Sequence, residues 1–353
     1  MNITYKIIID DTDFLNMKKI WDEVFSKSKN SIFSSFNWNY YWWKHYKNNA
    51  KLLIIILYQD NKPISIFPLY YLKEQCFKKY LLLSSDFVAS DYLDIICIKN
   101  LEKESEEFYH YLIKTIFSKC SYFNLKDFTT ESLVSNLVTS FENQRMVTLS
   151  GSTNKYCPYL QLPDQIEMIF NHHSDKTKQR FLSYVRSAFK NHDVQFKIGF
   201  MNDNPIISFD YFTDLHLRRI SSQGKNSNFS NMQFIRFHKD YIQNTSDSVL
   251  FFWIINQNIP IACTYCYKLN DAIYFYNSGF NPDSSIKKVG QILLYKMFEY
   301  LISKNIKTFY FLRGSEEYKY FWTTSQDELF YAEIFQSYLS RFYNSIKLRT
   351  LKK

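Results

Sequence analysis

Hydrophobic patterns of the helix type and of the strand type alternate along the first half of the chain. Residues 34–46 (SSFNWNYYWWKHY) place large aromatic side chains at positions i, i+3 and i+4, which predicts a helix that Ser35 caps. Apolar runs at 51–58 and 63–70 flank the turn-forming sequence QDNKP, and this arrangement predicts two strands joined by a tight turn. The other elements predicted in this half are a helix near 12–27, strands at 79–84, 92–98 and 121–128, and a helix over 104–120.

The second half repeats this order of elements. Apolar runs at 248–256 and 260–268 flank the turn NQNIP, which aligns with the turn of the first half. A strand at 272–280, a helix at 289–304 and a strand at 308–312 follow, so both halves show hairpin, strand, helix and strand. Because 353 residues exceed the size at which one hydrophobic core keeps growing, we expect two domains of α/β (α+β) type, residues 1–160 and 161–353.

Composition and charge narrow the choice of partners. Hydrophobic residues make up 46% of the chain, enough for globular cores, and the formal net charge is +9. This charge favours anionic partners: nucleic acid, phosphorylated cofactors or a membrane surface. The lysines are scattered, which is more typical of a basic surface than of a nucleic-acid groove. Aromatic residues reach 19%, a share that codon bias explains, so a single aromatic residue is a weak site marker.

The cysteines and the apolar runs indicate a cytoplasmic protein without a membrane span. Six cysteines are sparse for this length, which suits free thiols in a reducing compartment. Cys263 and Cys266 have C-x-x-C spacing, but in a strand-like run residues three apart point to opposite faces, so we expect no metal site. The first residues are not a signal peptide, and the runs at 52–58 and 249–255 are too short to span a bilayer.

A glycine stands at the start of the predicted helix in the segment SSIKKVGQILLYKMFEYLISK. Gly290 lets a ligand approach the backbone closely, and the positive end of the helix dipole favours an anion. Lys287 and Lys288 add positive charge just upstream. The pattern suits a pyrophosphate group. The alternative is a capped surface helix whose lysines lie in solvent.

Four segments together resemble a GNAT-type acyltransferase, specifically the tandem-GNAT group of the cellulose-biosynthesis CelD type, a relative of the Fem-type aminoacyl transferases. The resemblance implies two GNAT-like domains, each with a mixed, mainly antiparallel sheet flanked by helices. The segments are Phe33-Ser34-Ser35 with Trp38, Trp42-Trp43 and the later ISIFPLYY; YFTDLHLRRISSQG (211–224); YFYNSGFNPDSSIKKVGQILLYKMFEYLISKNI (274–306); and FLRGSEEYKYFW (311–322).

The resemblance also implies where acetyl-CoA or another acyl-CoA binds. The donor would bind at the start of the helix after strand 272–280 and beside the end of that strand. Poor strand formers at this end predict a bulge or an abrupt stop. The implied donor-binding residues are Lys287, Lys288, Val289, Gly290, Gln291, Asn277 and Ser278. The implied contacts of a small-molecule amine acceptor are His216, Arg219 and Trp42, although a lone histidine more often packs or bonds locally.

The segment FLRGSEEYKYFW carries the implied acid–base chemistry. Arg313 and Lys319 would hold an anionic group, Glu316 or Glu317 would take a proton from the amine, and Tyr318 would protonate the leaving thiolate. Such steps are worth roughly 10²–10⁴-fold in rate. The alternative is a solvated loop with one ion pair.

Three positions depart from the family pattern. The family usually has Asp where Tyr310 stands, an acidic residue where Ser315 stands, and a small residue or proline where Val289 stands. The first two departures put the acid–base assignment in doubt.

We therefore expect an acyl-CoA-dependent N-acyltransferase, of the N-acetyltransferase kind, that acts by direct transfer. By resemblance the acceptor is an amino sugar or amino acid, in surface polysaccharide biosynthesis. No nucleophile elbow, P-loop or dinucleotide fingerprint is present, and direct transfer needs none of them. Two alternatives stay open. One is a Fem-like transferase that uses aminoacyl-tRNA, which the charge and the basic helix at 175–190 motivate; the other is a non-catalytic binding protein on a degenerate GNAT scaffold.

Overall fold

The computed structural model describes residues 2–74, 77–117, 121–143, 147–191, 193–337 and 341–342. Cys76, Cys120 and the end of the predicted helix at 118–120 lie outside the described residues. The chain forms two compact units, one of Met1–Lys155 with Glu328–Lys353 and the other of Tyr156–Asp327. This differs from the predicted boundary at 160, because the strand that begins at Gln326 pairs with a strand of the first unit.

The first unit is a mixed sheet with helices. Its strands are β1 (Ile3–Ile8), β2 (Lys51–Gln59), β3 (Lys62–Glu74), β4 (Phe77–Leu82), β5 (Ile96–Cys97), β6 (Ser121–Phe128), the first part of β7 (Val147–Gln161) and β13 (Gln326–Phe335). Its helices are α1 (Asp11–Asn16), α2 (Lys18–Ser26), α3 (Phe36–Tyr46), α4 (Glu102–Ile116) and α5 (Leu133–Asn143). Strands β1 to β4 pair antiparallel in sequence order, β4 pairs parallel with β6, and β6 pairs antiparallel with β13.

The second unit repeats this topology. Its helices are α6 (Asp175–Asn191), α7 (Pro205–Ser222), α8 (Met232–Asn244), α9 (Val289–Ser303) and α10 (Glu317–Tyr320). Its strands are β8 (Val194–Ile198), β9 (Val249–Asn256), β10 (Ile259–Leu269), β11 (Ala272–Phe280), β12 (Thr308–Tyr310) and the end of β7. Strands β8 to β11 pair antiparallel, β11 pairs parallel with β12 across α9, and β12 pairs antiparallel with β7. The predicted fold class, two similar units with mixed sheets, is confirmed.

Apolar side chains cover both faces of the second sheet. Helix α9 buries Ile292, Leu293 and Phe298 in the core cluster on one face. On the other face Phe212 of α7 packs against Tyr265 of β10, with ring centroids 5.4 Å apart. Full burial of each such side chain contributes roughly 1.5–3 kcal/mol, so the unit's helices are fixed by these faces more than by helix propensity.

The predicted elements differ from the structure mainly where the hydrophobic pattern is weak. The predicted helix near 12–27 is two helices that meet at Met17, and the predicted strand at 92–98 is reduced to β5. The sequence did not predict strands β1, β7, β8 and β13 or helices α5 and α10. Among the described residues, no helix combines the length and the apolar character that a membrane crossing requires.

Candidate functional site

A cavity of about 480 Å³ lies in the second unit, where β11, α7, α10 and the start of α9 meet. This volume is in the range of small-molecule sites, roughly 300–1,000 Å³. Its lining includes Arg219 of α7, Ser278 of β11, residues 286–291 and Tyr318 of α10. The cavity therefore collects residues from four separate segments of the chain: 219–223, 263–264, 275–294 and Tyr318.

The loop before α9 is held by its own polar groups. The N–H of Asn281 donates to the carbonyl of Ile261 (2.8 Å), and the N–H of Ile286 donates to Oγ of Ser284 (3.2 Å). Both loop residues lie against the cavity. The loop thus presents a defined backbone to a ligand rather than a flexible connection.

Helix α9 begins without a side-chain cap. Lys288 stands at the N-cap position in the left-handed conformation (φ 62°), and the first hydrogen bond of the helix runs from the N–H of Ile292 to the carbonyl of Lys288 (2.9 Å). The N–H groups of Val289, Gly290 and Gln291 therefore have no partner in the helix. They are available to an anion beside the positive end of the helix dipole.

Strand β11 separates from β12 beside the cavity. The pairing of β11 with β12 covers only Ala272–Tyr274, and the register of β11 against β10 shifts at Tyr276. The predicted bulge is present. The alternative of an abrupt stop is wrong, since β11 continues to Phe280.

Helix α7 approaches β11 at a glycine. A Cβ on Gly279 would lie 2.6 Å from the carbonyl carbon of Leu215 and still closer to the backbone nitrogen of His216. Only glycine permits this contact. One turn further along α7, Arg219 reaches Ser278, where Nη1 donates to Oγ (2.9 Å) and to the carbonyl oxygen (3.3 Å).

Tyr318 places a phenol group at the cavity. Its hydroxyl has no hydrogen-bond partner among the described residues. Burial raises the pKa of Tyr318 well above its ordinary value of 10.0; the negative charge of Glu316 raises it further, and the positive charge of Arg219 opposes the rise. The hydroxyl therefore stays protonated at neutral pH and can donate a proton.

The cavity is electrostatically positive. Arg219, Lys287 and Lys288 line it, and no Asp, Glu or His occurs among the described residues of its lining. Nearby on α6, the pKa of Tyr184 is lowered mainly by its hydrogen bond with Arg180, and also by the charges of Lys287 and Lys288. Arg180 therefore belongs to the same group of positive charges. This arrangement favours an anionic ligand.

Most of the predicted donor-binding residues are brought together. Lys287, Lys288, Val289, Gly290, Gln291 and Ser278 all line the cavity. Asn277 does not; its side-chain oxygen accepts a hydrogen bond from the N–H of Ser278 (2.8 Å). Gln223, the residue after α7 and four positions after Arg219, lines the cavity but was not predicted as a site residue. The sequence feature that could have identified Gln223 is its position four residues after Arg219, which places both on one face of a helix.

The structure gives Lys319 a different role from the predicted catalytic one. Its ammonium group is buried and donates to the carbonyls of Leu312 (3.1 Å), Arg313 (2.8 Å) and Gly314 (3.3 Å). It also lies 3.0 Å from Oε2 of Glu316. Lys319 thus fastens the loop after β12, which includes Leu312 in a left-handed conformation (φ 58°).

Two further predicted catalytic side chains lie outside the cavity lining. Glu316 is exposed, pairs with Lys319 and is not part of the cavity lining. Arg313 is half-buried in the same loop and offers its carbonyl to Lys319. Of the predicted catalytic group, Tyr318 alone lines the cavity in the described part of the chain.

Two of the predicted acceptor contacts are structural. His216 is buried, and both ring nitrogens are occupied: Nδ1 donates to the carbonyl of Ser278 (2.9 Å), and Nε2 accepts from Oγ of Ser227 (2.8 Å). Burial lowers its pKa, so the ring is neutral. Trp42 lies in the first unit, is fully buried and donates from Nε1 to the carbonyl of Asp86 (2.7 Å). Neither side chain is part of the cavity lining, and both ring nitrogens of His216 already have partners.

Two of the three departures from the family pattern, Tyr310 and Ser315, lie outside the cavity lining, whereas Val289 is part of it. The ring of Tyr310 stacks on Tyr274 with centroids 4.9 Å apart, and Ser315 is exposed. Neither residue is part of the lining. In the described part of the chain, no group of three or more His, Cys, Asp or Glu side chains is arranged to hold a metal ion.

The second unit is similar to a known protein family. Residues 175–320 match the family model of the acetyltransferase (GNAT) domain. This segment contains the whole cavity lining, from Arg219 to Tyr318. The match and the fold support an acyltransferase of the GNAT fold; the CelD-type subgroup stays a prediction.

Solved structures share the fold over nearly the full chain. The crystal structure of FemX has a TM-score of 0.65 at 9% identity and covers 97% of this chain and 99% of its own. A conserved protein of unknown function from Bacteroides thetaiotaomicron has a TM-score of 0.57 at 11% identity, with 93% and 100% covered. L-PGS from Bacillus licheniformis has a TM-score of 0.52 at 10% identity, with 91% and 92% covered. At such identities the likeness concerns the fold alone. No curated protein matches the sequence significantly.

Proposed function

We propose that the protein is an acyl-CoA-dependent N-acyltransferase that transfers an acyl group, in the simplest case acetyl, directly to an amine. One observation carries this proposal. Unpaired backbone N–H groups at the start of α9 lie beside Lys287 and Lys288, in a cavity whose described lining has no acidic side chain. These are the groups that a pyrophosphate requires.

The residues present also fit the rest of a thioester donor. The apolar side chains of Phe275, Leu293 and Leu294 line the cavity together with the edge of β11 beyond its bulge. A bound thioester would supply the acyl group. The hydroxyl of Tyr318 would donate a proton to the sulfur as the thiolate leaves, since burial keeps this hydroxyl protonated. The acceptor proposed from the family resemblance is an amine of an amino sugar or amino acid destined for a surface polysaccharide.

Calorimetry with acetyl-CoA and the full chain tests the donor site. We expect binding by the wild type and its loss in Gly290→Glu, because the new carboxylate would lie at the anion site. Gly290→Gln is the matched control: it adds the same volume without the charge, and we expect it to bind better than Gly290→Glu. Absence of binding to the wild type, or equal binding by the two variants, would contradict the assignment.

A Fem-like use of aminoacyl-tRNA is the second candidate. Exposed basic side chains on α6 extend the positive charge of Lys287 and Lys288, and the charges of Arg180 and the two lysines act on the same tyrosine. If tRNA is the donor, its affinity will fall steeply with salt, with a slope of about −0.7 to −0.9 per phosphate contact on a double-logarithmic plot. Lack of tRNA binding at low salt would remove this candidate.

A turnover assay distinguishes a non-catalytic binding protein from the two candidate transferases. Release of CoA in the presence of a panel of amines, and its loss in Tyr318→Phe, would exclude the non-catalytic reading. Acetyl-CoA binding without release of CoA across the panel would favour it.

A further inference from the structure

Arg219 is a cation without a counter-ion inside the cavity. No described carboxylate forms an ion pair with it; the salt bridge on the same helix is made by its neighbour Arg218 with Asp214 (2.9 Å). Nη1 of Arg219 is occupied by Ser278, whereas Nε is buried and has no partner, and Nη2 donates to no described residue. Nε and Nη2 together form one edge of the guanidinium group.

The position of this edge is fixed by its surroundings. The guanidinium carbon lies 5.3 Å from the centroid of the Phe280 ring, and the two bonds to Ser278 hold the other side. A rigid, planar fork of this kind matches the two oxygens of a carboxylate. Holding a partly buried guanidinium group without a counter-charge is costly, and a bound anion removes that cost.

The charges of the cavity divide into two sets. Lys287 and Lys288 are exposed at the start of α9, beside the free amide groups, and a pyrophosphate there would use both charges. Arg219 belongs to a different element, α7, and its charge acts on the hydroxyl of Tyr318. A pyrophosphate at α9 therefore leaves the charge of Arg219 to be matched by a second anionic group near the proton donor.

We propose that Arg219 binds a carboxylate of the acceptor, so that the acceptor is an amino acid or carries an amino acid carboxylate next to its amine. The proposal rests on the proposed acyltransferase function. An α-amino acid has both groups on one carbon, so a carboxylate held at Arg219 places the amine beside Tyr318, where the thiolate departs. Gln223, the residue after α7, also lines the cavity, and its amide group could donate to the same ligand. An amino sugar without a carboxylate would leave the Arg219 edge unmatched.

Matched pairs of ligands test this subsite. The thermal midpoint of the full-length protein is measured with CoA and each of a panel of L-amino acids, and with the corresponding L-amino acid amides, which differ by the carboxylate. We expect at least one amino acid to bind on the order of 10- to 100-fold more tightly than its amide, the usual size of a lost hydrogen bond to a charged group. A second experiment compares the binding of succinyl-CoA and butyryl-CoA by calorimetry. These donors differ by a carboxylate on the acyl group, so the comparison shows whether Arg219 binds a carboxylate of the donor and not one of the acceptor.

The variants separate recognition from folding. Arg219→Met keeps the aliphatic stem over Phe280 and removes the fork, and we expect the preference for the acid over the amide to fall to about one. Arg219→Lys keeps a positive charge at this position without the two-pronged edge, so we expect an intermediate preference. Arg218→Met, at the exposed neighbouring position, is the control and should retain the full preference.

Each outcome decides the proposal. Equal binding of acids and amides by the wild type, or a preference that persists in Arg219→Met, would overturn it. A preference seen only between succinyl-CoA and butyryl-CoA would overturn the assignment to the acceptor and place the carboxylate on the acyl group. If acetyl-CoA does not bind, the proposed function fails; the amino acid pairs measured without CoA still report on Arg219.

Discussion

Tyr318 and Lys319 are neighbours in the sequence with opposite environments. The hydroxyl of Tyr318 lies at the cavity without a partner, whereas the ammonium group of Lys319 is buried under the carbonyls of the loop after β12. Consecutive side chains of a helical turn point about 100° apart, so one can face a ligand while the other holds the backbone. Lys319 thus fastens α10, the helix that carries Tyr318, to the loop after β12.

Replacement of Tyr318 by Phe should slow acyl transfer while acetyl-CoA binding changes little. Loss of a general acid reduces kcat by roughly 10²-fold or more. Steady-state kinetics with the acceptor identified by the amine panel, together with calorimetry, measure the two effects. Tyr320→Phe is the control, since the hydroxyl of Tyr320 bonds to Gln326 (2.6 Å) outside the cavity lining. Equal losses in the two variants would contradict a proton-donor role for Tyr318.

At the scale of elements, the contact between α7 and β11 sets the shape of the site. The absence of a side chain at Gly279 lets the backbones of helix and strand touch, which brings Arg219 to Ser278. The hairpin of β9 and β10 and the parallel pair of β11 and β12 hold this strand in register.

Gly279→Ala should destabilise the protein, because the new methyl group would overlap backbone atoms that cannot rotate away. Overpacking of this kind costs about 1–3 kcal/mol, and the close approach here places the cost in the upper part of that range. Gly290→Ala is the matched control: its Cβ would lie 3.4 Å from the ring of Phe280, an ordinary contact. Denaturant unfolding of both variants checks the difference, and an equal stability would show that α7 shifts without cost.

At the scale of the whole molecule, the chain has a formal net charge of +9, and three of its positive side chains line the cavity of the second unit. Its cavity carries positive side chains and, in the described lining, no group that could serve as a general base near neutral pH. We therefore expect that the proposed amine acceptor must arrive unprotonated.

The pH dependence of kcat/KM follows from the absence of a general base in the described cavity lining. Below the pKa of the acceptor amine, kcat/KM should rise tenfold per pH unit, without a separate break between pH 5 and 8. Because burial raises the pKa of Tyr318, no decline from its ionisation is expected until above pH 10. Glu316→Gln should keep the same profile and activity within about threefold, whereas loss of a true base would cost roughly 10²–10⁴-fold. A pH profile of kcat/KM that changes in Glu316→Gln would show that the Glu316 carboxylate takes part in the reaction.

The predicted donor site and the predicted catalytic loop differ in how far the sequence could predict the positions of their side chains. Residues 287–291 could be located because the chemistry belongs to one local feature, a helix start with a glycine and adjacent lysines. Glu316, Lys319, His216 and Trp42 could not be assigned in the same way. Their partners are carbonyls and hydroxyls elsewhere in the fold, and only folding decides whether a polar side chain meets a ligand or a backbone group.

The sequence by itself determined the repeated order of strands and helices and the helix start with adjacent lysines at which we propose an anion site, since periodicity and helix-end electrostatics act over a few residues. Tertiary structure decided the rest. It paired β13 with β6 and buried Lys319 and His216. It also placed Arg219 of α7 and Tyr318 of α10 at the cavity, each with polar atoms that have no hydrogen-bond partner among the described residues. These outcomes depend on contacts between residues far apart in the chain, where burial and hydrogen-bond satisfaction set the result.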